Sequence, residues 1–341
     1  MHQPQVLQSA LQCWQLVSDS CPVPGDRDSQ PTVDFGQTMA LSDFVAKLEN
    51  IAAETESPAL GWKVGEAVPL PHFGDIWQAV DSSRTLGSAL RKMCEYFALL
   101  QDLTEMRLVD EGEYVALSYR ILDPTIWPRH QDAIYTLAIK TRILIAAEGF
   151  SLDEAEIYLE SSDEALALQL ERVSGIVCRP GAETNMIRFP VACLGLKMNP
   201  AHAVDARKVS DLARRLKDKR RAKLVEERVR STIYSRLGRD AVNQACVAEE
   251  LGLSDRTLRR KLAASNTNFQ TIVDDCRIRQ AVLEIARCKT VSIAEIALRL
   301  GYSEHSTFSR AFSRCMGMPP QAFLRGVARQ ERRGLAAIDR A

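Results

Sequence analysis

The sequence lacks the features that mark membrane, metal-binding and disulfide-linked proteins. Its 341 residues hold no run near the ~18 apolar residues of a membrane helix, and no signal-peptide pattern opens the chain. The nine cysteines are scattered and odd in number, without a C-x-x-C pair, and the five histidines form no H-E-x-x-H. This usage indicates reduced thiols rather than a disulfide framework or a zinc site. We therefore expect a cytoplasmic protein that contacts no membrane and holds no metal or other cofactor.

Signatures of common enzyme classes are also missing. The chain contains neither G-x-S-x-G nor G-x-x-x-x-G-K-[ST]. Its hydrophobic fraction of 46% and charged fraction of 26% are those of an ordinary globular protein. An enzyme domain fused to a binding domain is the alternative, and no motif favours it. We expect a protein that is not an enzyme.

A net charge of zero conceals an uneven distribution along the chain. From Val204 to the end there are 29 Lys and Arg against 16 Asp and Glu, whereas the preceding part has 15 against 28. Such asymmetry indicates that the C-terminal part meets a polyanion such as nucleic acid. A solvated basic face would give the same count, so charge alone leaves both readings open.

Pattern changes divide the chain into five segments. Residues 1–40, interrupted by Pro22, Pro24 and Pro31, are expected to form a loosely ordered arm. Mixed helical and strand-like patterns follow, including a hairpin around Glu111-Gly112. The predicted domains are an α+β domain with a small sheet at 41–203, a linker helix at 204–222, an all-α domain at 223–328 and a flexible tail at 329–341.

The most informative stretch is IAEIALRLGYSEHSTFSRAF, residues 293–312. Apolar residues from Ile293 to Leu300 recur at i, i+3, i+4 and i+7, which predicts one face of a short helix. Gly301 is suited to end that helix and Ser303 to cap a second one, with Phe308 and Phe312 on its apolar face. This layout is a helix-turn-helix, although an ordinary pair of antiparallel helices would look similar.

A second copy of the pattern favours the helix-turn-helix. In VAEELGLSDRTLRRKL, residues 247–262, Gly252 and Ser254 stand 49 positions before Gly301 and Ser303. We take Gly252 and Gly301 as turns, and Ser254 and Ser303 as helix caps. A helix at about 269–287 is predicted to join the copies. The duplication predicts two helix-turn-helix motifs in one all-α domain.

These residues resemble the AraC/XylS family of transcription regulators. The resemblance is carried by residues 293–325, which end in the Gly317, Pro319 and Pro320 element, and it covers 220–325 closely. The N-terminal half is similar, less sharply, to the effector domain of a subset of that family, in segments 59–68, 82–100 and 187–200. The resemblance implies a regulator that binds double-stranded promoter DNA, more often an activator, with RNA polymerase as a further partner if it activates.

Exposed polar residues on the second helix of each motif are the candidate DNA contacts. Arg256 and Arg260 lie opposite the apolar face and suit bidentate contacts to guanine, and the family resemblance implies base contacts there too. The alternative is that these arginines bind only phosphate. The full candidate set is Arg256, Thr257, Arg259, Arg260, His305, Ser306 and Arg310. Because the second copy carries less positive charge, we expect the first to discriminate sequence more strongly.

The acidic N-terminal domain is expected to bind a small effector, to form a homodimer, or both. Candidate effector contacts are the aromatic residues Trp77, Tyr96 and Trp127, for which core packing is the alternative. The acidic excess is compatible with a cationic or amine effector, and equally with a solvated acidic surface. A dimeric regulator that needs no effector remains the alternative function.

Overall fold

The computed structural model describes residues 5–7, 38–199, 205–222, 224–287 and 292–325. The chain divides into two compact units, the first formed by Met1–Ile121 and Pro128–Ala222, the second by Leu122–Trp127 and Lys223–Ala341. The division after Ala222 coincides with a predicted domain boundary. The predicted tail at 329–341 and most of the predicted arm lie outside the described residues.

The described parts of the arm are ordered, unlike the loose segment that the sequence predicts. Strand β1 (Gln5–Leu7) pairs antiparallel with β2 (Thr38–Ala40). Val6 is 2% exposed, and the Asp102 amide donates to the Gln5 carbonyl at 2.8 Å. Backbone pairing and the burial of one valine therefore hold these residues against the first unit.

The first unit is α+β with one small sheet, as the sequence predicts. Its helices are α1 (Leu41–Glu54), α2 (Leu60–Ala67), α3 (Gly74–Asp81), α4 (Leu86–Tyr96), α5 (His130–Ile145), α6 (Glu164–Ser174) and α7 (Ala206–Ala222). Its remaining strands are β3 (Thr104–Asp110), β4 (Tyr114–Ile121), β5 (Glu156–Tyr158), β6 (Val177–Arg179) and β7 (Asn185–Pro190). The predicted hairpin is confirmed as β3–β4, and its turn contains Gly112 at φ +82°.

The five-stranded sheet has the order β3-β4-β7-β5-β6. All its pairings are antiparallel except that of β5 with β6. On β4 and β7 the inward side chains are fully buried at Leu117, Ile187 and Phe189. Helix α5 is the central helix of this unit, since nearly all of its side chains are buried.

Helix α2, which sequence analysis did not identify, lies very close to α5. A Cβ added to Gly61 would lie 2.4 Å from the Gln131 carbonyl oxygen, and one added to Gly65 would lie 2.6 Å from Ala138 Cβ. Glycine therefore permits the close approach, although it lowers the intrinsic helix propensity of this eight-residue segment. Tertiary packing, rather than local sequence preference, explains this helix.

The predicted linker helix, α7, belongs to the first unit. Leu212 and Leu216 are almost fully buried in a cluster with Ile76 and Tyr96 of α3 and α4. Lys219 adds an ion pair with Asp102 at 3.2 Å. Because α7 is amphipathic, its apolar face packs on this unit instead of remaining solvated along its length.

The second unit is helical and contains both predicted helix-turn-helix motifs. Its helices are α8 (Val225–Arg236), α9 (Gln244–Glu250), α10 (Asp255–Ala264), α11 (Phe269–Arg287), α12 (Ile293–Arg299) and α13 (His305–Met316). The long helix α11 joins the two motifs, as predicted. It is held to α8 by Asp275, which pairs with both Arg230 and Arg279. The fully buried Val229 and Ile233 complete the contact surface of α8.

Candidate nucleic-acid interface

The first motif consists of α9 and α10. Asn243 caps α9 by accepting a hydrogen bond from the Cys246 amide at 2.9 Å. Gly252 follows at φ +67°, a left-handed conformation that glycine adopts without strain. Ser254 then caps α10, since its hydroxyl accepts from the Thr257 amide at 3.2 Å. The predicted turn and cap are therefore both present in this copy.

The second motif, α12 and α13, repeats the turn but not the cap. Gly301 has φ +81°, and the Tyr302 amide donates to the Ala297 carbonyl at 3.0 Å. Helix α13 begins at His305, so the cap position is Glu304, whose side chain makes no capping hydrogen bond. The prediction that Ser303 caps this helix is wrong.

One additional residue in the second copy explains the difference. Gly252 and Gly301 are 49 positions apart, whereas the first residues of the two helices, Asp255 and His305, are 50 apart. The extra residue lies between the glycine and the helix and moves Ser303 away from the cap. In structural register Ser306 therefore matches Arg256, while Arg310 matches Arg260.

A continuous core supports each of these second helices. Leu258 and Leu262 of α10 are 0% and 1% exposed. In α13, Phe308 and Phe312 are fully buried, and the ring of Phe312 lies 5.8 Å from that of Phe323. With the apolar face buried, the polar face of each helix is left to solvent, which is the arrangement that groove binding requires.

The arginines of α10 differ in whether they have a hydrogen-bonding partner. Arg259 pairs with Asp255, which also accepts a hydrogen bond from Gln244. Both hydrogen bonds hold the pKa of the Asp255 carboxyl below its usual value, and the bond from Gln244 has the larger effect. Arg256 and Arg260 are exposed and make no hydrogen bond or ion pair within the described part of the chain. Two guanidinium groups are thus available to a ligand.

The remaining candidate contacts are smaller or partly engaged. The hydroxyl of Thr257 shares a 2.8 Å hydrogen bond with that of Ser254. In α13, Ser306 donates to Glu304 at 3.1 Å, and Arg310 contacts the Thr307 hydroxyl at 3.5 Å. His305 is exposed at the helix start. The second copy therefore presents one arginine where the first presents two without partners.

The three aromatic effector candidates differ in their surroundings. Tyr96 is 4% exposed and belongs to the apolar cluster that includes Leu212 and Leu216. Trp77 lies half-buried on α3, next in sequence to Ile76 of that cluster. Trp127 lies in the segment Leu122–Trp127, which is grouped with the second unit. Core packing accounts for Tyr96, whereas effector binding by Trp77 and Trp127 stays a prediction.

A buried polar cluster that sequence analysis missed lies inside the first unit. The Tyr119 hydroxyl donates to Asp132 at 2.5 Å and accepts from Gln101 at 3.0 Å. Burial raises the pKa of Asp132 to about 6 and raises that of Tyr119. Lys140, two turns along α5 from Asp132, is 0% exposed, and burial lowers its pKa to about 7. The sequence signal that could have revealed this cluster is a charged residue, Lys140, among mostly apolar neighbours in segment 130–149.

Among the described residues, no group of three or more His, Cys, Asp or Glu side chains is arranged to hold a metal ion. None of the helices among those residues combines the length and apolarity that crossing a bilayer requires.

Comparison with known proteins relates both units to transcription regulators. Residues 29–198 match the family model described as the arabinose-binding domain of AraC transcription regulator, N-term. Residues 247–326 match a helix-turn-helix domain model.

Relatives that match most of the chain are also named as regulators. An uncharacterized HTH-type transcriptional regulator of Mycobacterium tuberculosis is 26% identical, covering 89% of this chain and 88% of its own. The ornithine utilization regulator of Pseudomonas aeruginosa is 27% identical, covering 84% of each chain. The solved structure of the transcriptional regulator CdpR from P. aeruginosa aligns with TM-score 0.45 and 20% identity, over 93% of this chain and 98% of that one. With both units matched in this order, the chain is a DNA-binding transcription regulator of the AraC family.

Proposed function

We propose that the protein reads promoter DNA through α10 and α13 and changes transcription in response to a small molecule bound by its first unit. The observation that carries the first part is the pair of glycine turns, each followed by a helix with a buried apolar face and an exposed polar start. Two such helices in one unit suit successive major-groove segments on one face of the duplex.

Arg256 and Arg260 are the proposed base readers. Both are exposed, and neither has a partner among the described residues, so binding a guanine edge breaks no existing ion pair. Arg259 is paired with Asp255, so reading a base would require that ion pair to break. A phosphate contact through the outer side of its guanidinium keeps the pair and is its proposed role. Thr257 would contact phosphate or a thymine methyl.

The second helix would contribute less sequence discrimination. Arg310 is its proposed base reader because it matches Arg260 in register, and its 3.5 Å contact with Thr307 is weak. Ser306, the counterpart of Arg256, and His305 supply shorter polar contacts. We therefore expect a DNA sequence motif in which one half is strongly specified and the other half is specified more weakly.

Control by a small molecule, with the first unit also able to pair protomers, is the second part of the proposal. It is supported by the match to a domain model named for arabinose binding, and by a relative named for the use of ornithine. Activation is the proposed direction, with RNA polymerase as the further partner. Ligand binding would act by favouring the DNA-binding conformation of the protein.

Selection from a random DNA pool tests the DNA-reading part. The full chain is equilibrated with duplexes that contain a randomised segment, and the bound fraction is sequenced. We expect one enriched motif whose stronger half is lost in Arg256→Ala and in Arg260→Ala. Uniform binding with a steep salt dependence and no motif would contradict base reading, because phosphate contacts alone carry no sequence information.

A further inference from the structure

The side chain of Lys140 is the unusual feature of the first unit. It is 0% exposed on α5, and its Nζ has one hydrogen-bond acceptor among the described residues, the Leu117 carbonyl oxygen at 3.5 Å. Its ammonium also lies 5.2 Å from the centre of the Tyr119 ring. An ammonium has three N–H donors, and a hydrogen bond of this length satisfies one of them poorly.

No carboxylate within the described part of the chain pairs with Lys140. A buried ammonium without a counter-ion is costly, and proteins rarely keep one unless it is used. The surrounding polar groups do not require Lys140 as a hydrogen-bond partner. Tyr119 already bonds to both Asp132 and Gln101. The unsatisfied hydrogen-bond donors in this cluster are therefore those of the Lys140 ammonium.

Cys94 of α4 is the titratable group whose charge acts on Lys140. Its own pKa is raised to about 11 by burial, so near neutral pH it is a thiol and supplies no negative charge. Cys94 itself is partly exposed, whereas Lys140 is fully buried behind it. An anion bound beside the ammonium would therefore meet no competing carboxylate among the described residues.

Neighbours on the same face of α5 define the rest of the surroundings. The side chains one turn away from Lys140 include Leu137, Ile143 and Leu144, all 0% exposed. Thr136 adds one hydroxyl on that face, and it is also buried. A ligand with an anionic oxygen group and an apolar body matches this combination of one cation and several aliphatic side chains.

We propose that Lys140 is the anchor for the carboxylate of a small organic acid, and that this acid is the effector. The inference rests on the effector control proposed above and specifies its chemical class. A carboxylate supplies both the charge and the acceptors that the ammonium lacks. An amine would repel the cation, so the amine effector that the acidic composition allows is replaced by an acid.

The test compares the full-length wild type with Lys140→Met and with Lys92→Met as the matched control. Lys92 also lies on a helix of this unit, but its ammonium already donates to the Ala79 carbonyl at 2.7 Å. The probes are acetate, butyrate, hexanoate and benzoate, with the corresponding alcohols and amines, at constant ionic strength. The readouts are the thermal unfolding midpoint as a function of probe concentration and calorimetric titration.

We expect at least one carboxylate to raise the midpoint of the wild type progressively, as mass action requires, while its alcohol and amine do not. Lys140→Met should weaken that carboxylate at least tenfold, whereas Lys92→Met should retain it. The inference is overturned if no carboxylate in the series stabilises the wild type beyond its alcohol, or if Lys140→Met responds like the wild type. The unliganded midpoint of Lys140→Met, expected at or above that of the wild type, shows that this variant folds.

The same preparations separate this inference from the proposed function. If an amine stabilises all three proteins alike, effector control stands and the carboxylate class is wrong. If a carboxylate binds through Lys140 but the wild type selects no DNA motif, the ligand site stands and DNA reading fails. Each outcome is read on a different measurement, so one failure does not conceal the other.

Discussion

At the residue scale, the structure separates side chains that look equivalent in the sequence. Arg256, Arg259 and Arg260 all follow one helix cap. Among the described residues, only Arg259 of these three has a carboxylate partner, Asp255. The i, i+4 spacing of that pair could have been read from the sequence. The burial of Lys140 could not, because it depends on which face of α5 meets β4 and α4.

Substitution of the three arginines should therefore have unequal effects. Arg256→Ala and Arg260→Ala should each weaken binding to the selected motif by about 1–3 kcal/mol, because a bidentate base contact is lost. Arg259→Ala should cost less and should lower affinity for all sequences alike. Binding titrations against the selected motif and a scrambled duplex measure both quantities, and an equal loss of specificity in all three variants would refute the assignment.

The pH dependence of stability should report on Lys140. Its pKa is lowered from 10.5 to about 7, so above pH 7 the folded chain holds a neutral amine while the unfolded chain still binds the proton. The unfolded state then binds more protons, and this group's contribution to stability rises with pH. Between pH 7 and 9 the wild type should gain on the order of 2 kcal/mol relative to Lys140→Met. Urea unfolding of both proteins across that range measures the difference, and parallel curves would contradict it.

At the element scale, sequence periodicity located most helices and strands but not their ends or their partners. The repeated motif gave both helix-turn-helix units, yet the extra residue after Gly301 moved the start of α13 to His305. Helix α2 was not predicted because Gly61 and Gly65, which permit its close packing on α5, have low intrinsic helix propensity. The apolar face of α7 was recognised, but a periodic face does not reveal which unit it covers.

The two serines that follow the turns offer a matched test of the caps. Ser254→Ala removes the hydroxyl that accepts from the Thr257 amide and should destabilise the second unit by about 1 kcal/mol. Ser303→Ala should have almost no effect, because Ser303 precedes the true cap position. Urea unfolding followed by circular dichroism gives both values. Equal losses would show that the second helix begins earlier than the structure places it.

The attachment of α7 can be tested in the same way. Leu216→Ala removes a side chain that is 4% exposed in the cluster with Tyr96, and it should cost about 2–5 kcal/mol in the first unit. Leu224→Ala, at a position that is 63% exposed, should change stability by less than about 0.5 kcal/mol. If both variants unfold like the wild type, α7 does not contribute to the core of the first unit.

At the scale of the whole molecule, charge and fold divide the chain at nearly the same place. The basic part begins at Val204 and includes the whole of α7, so its first helix belongs to the acidic first unit. Charge predicted that two functions are separated along the chain, and the two units agree with that division. Composition could not indicate the class of the proposed effector, since net acidity describes a surface and Lys140 lies in the interior.

The central claim is that two helices of one unit read two segments of one DNA face. Methylation protection of guanine N7 on the selected motif tests it most directly. The account predicts two protected patches about 10 base pairs apart, the first lost in Arg256→Ala and Arg260→Ala and the second in Arg310→Ala. A single protected patch, or protection that survives all three substitutions, would contradict it.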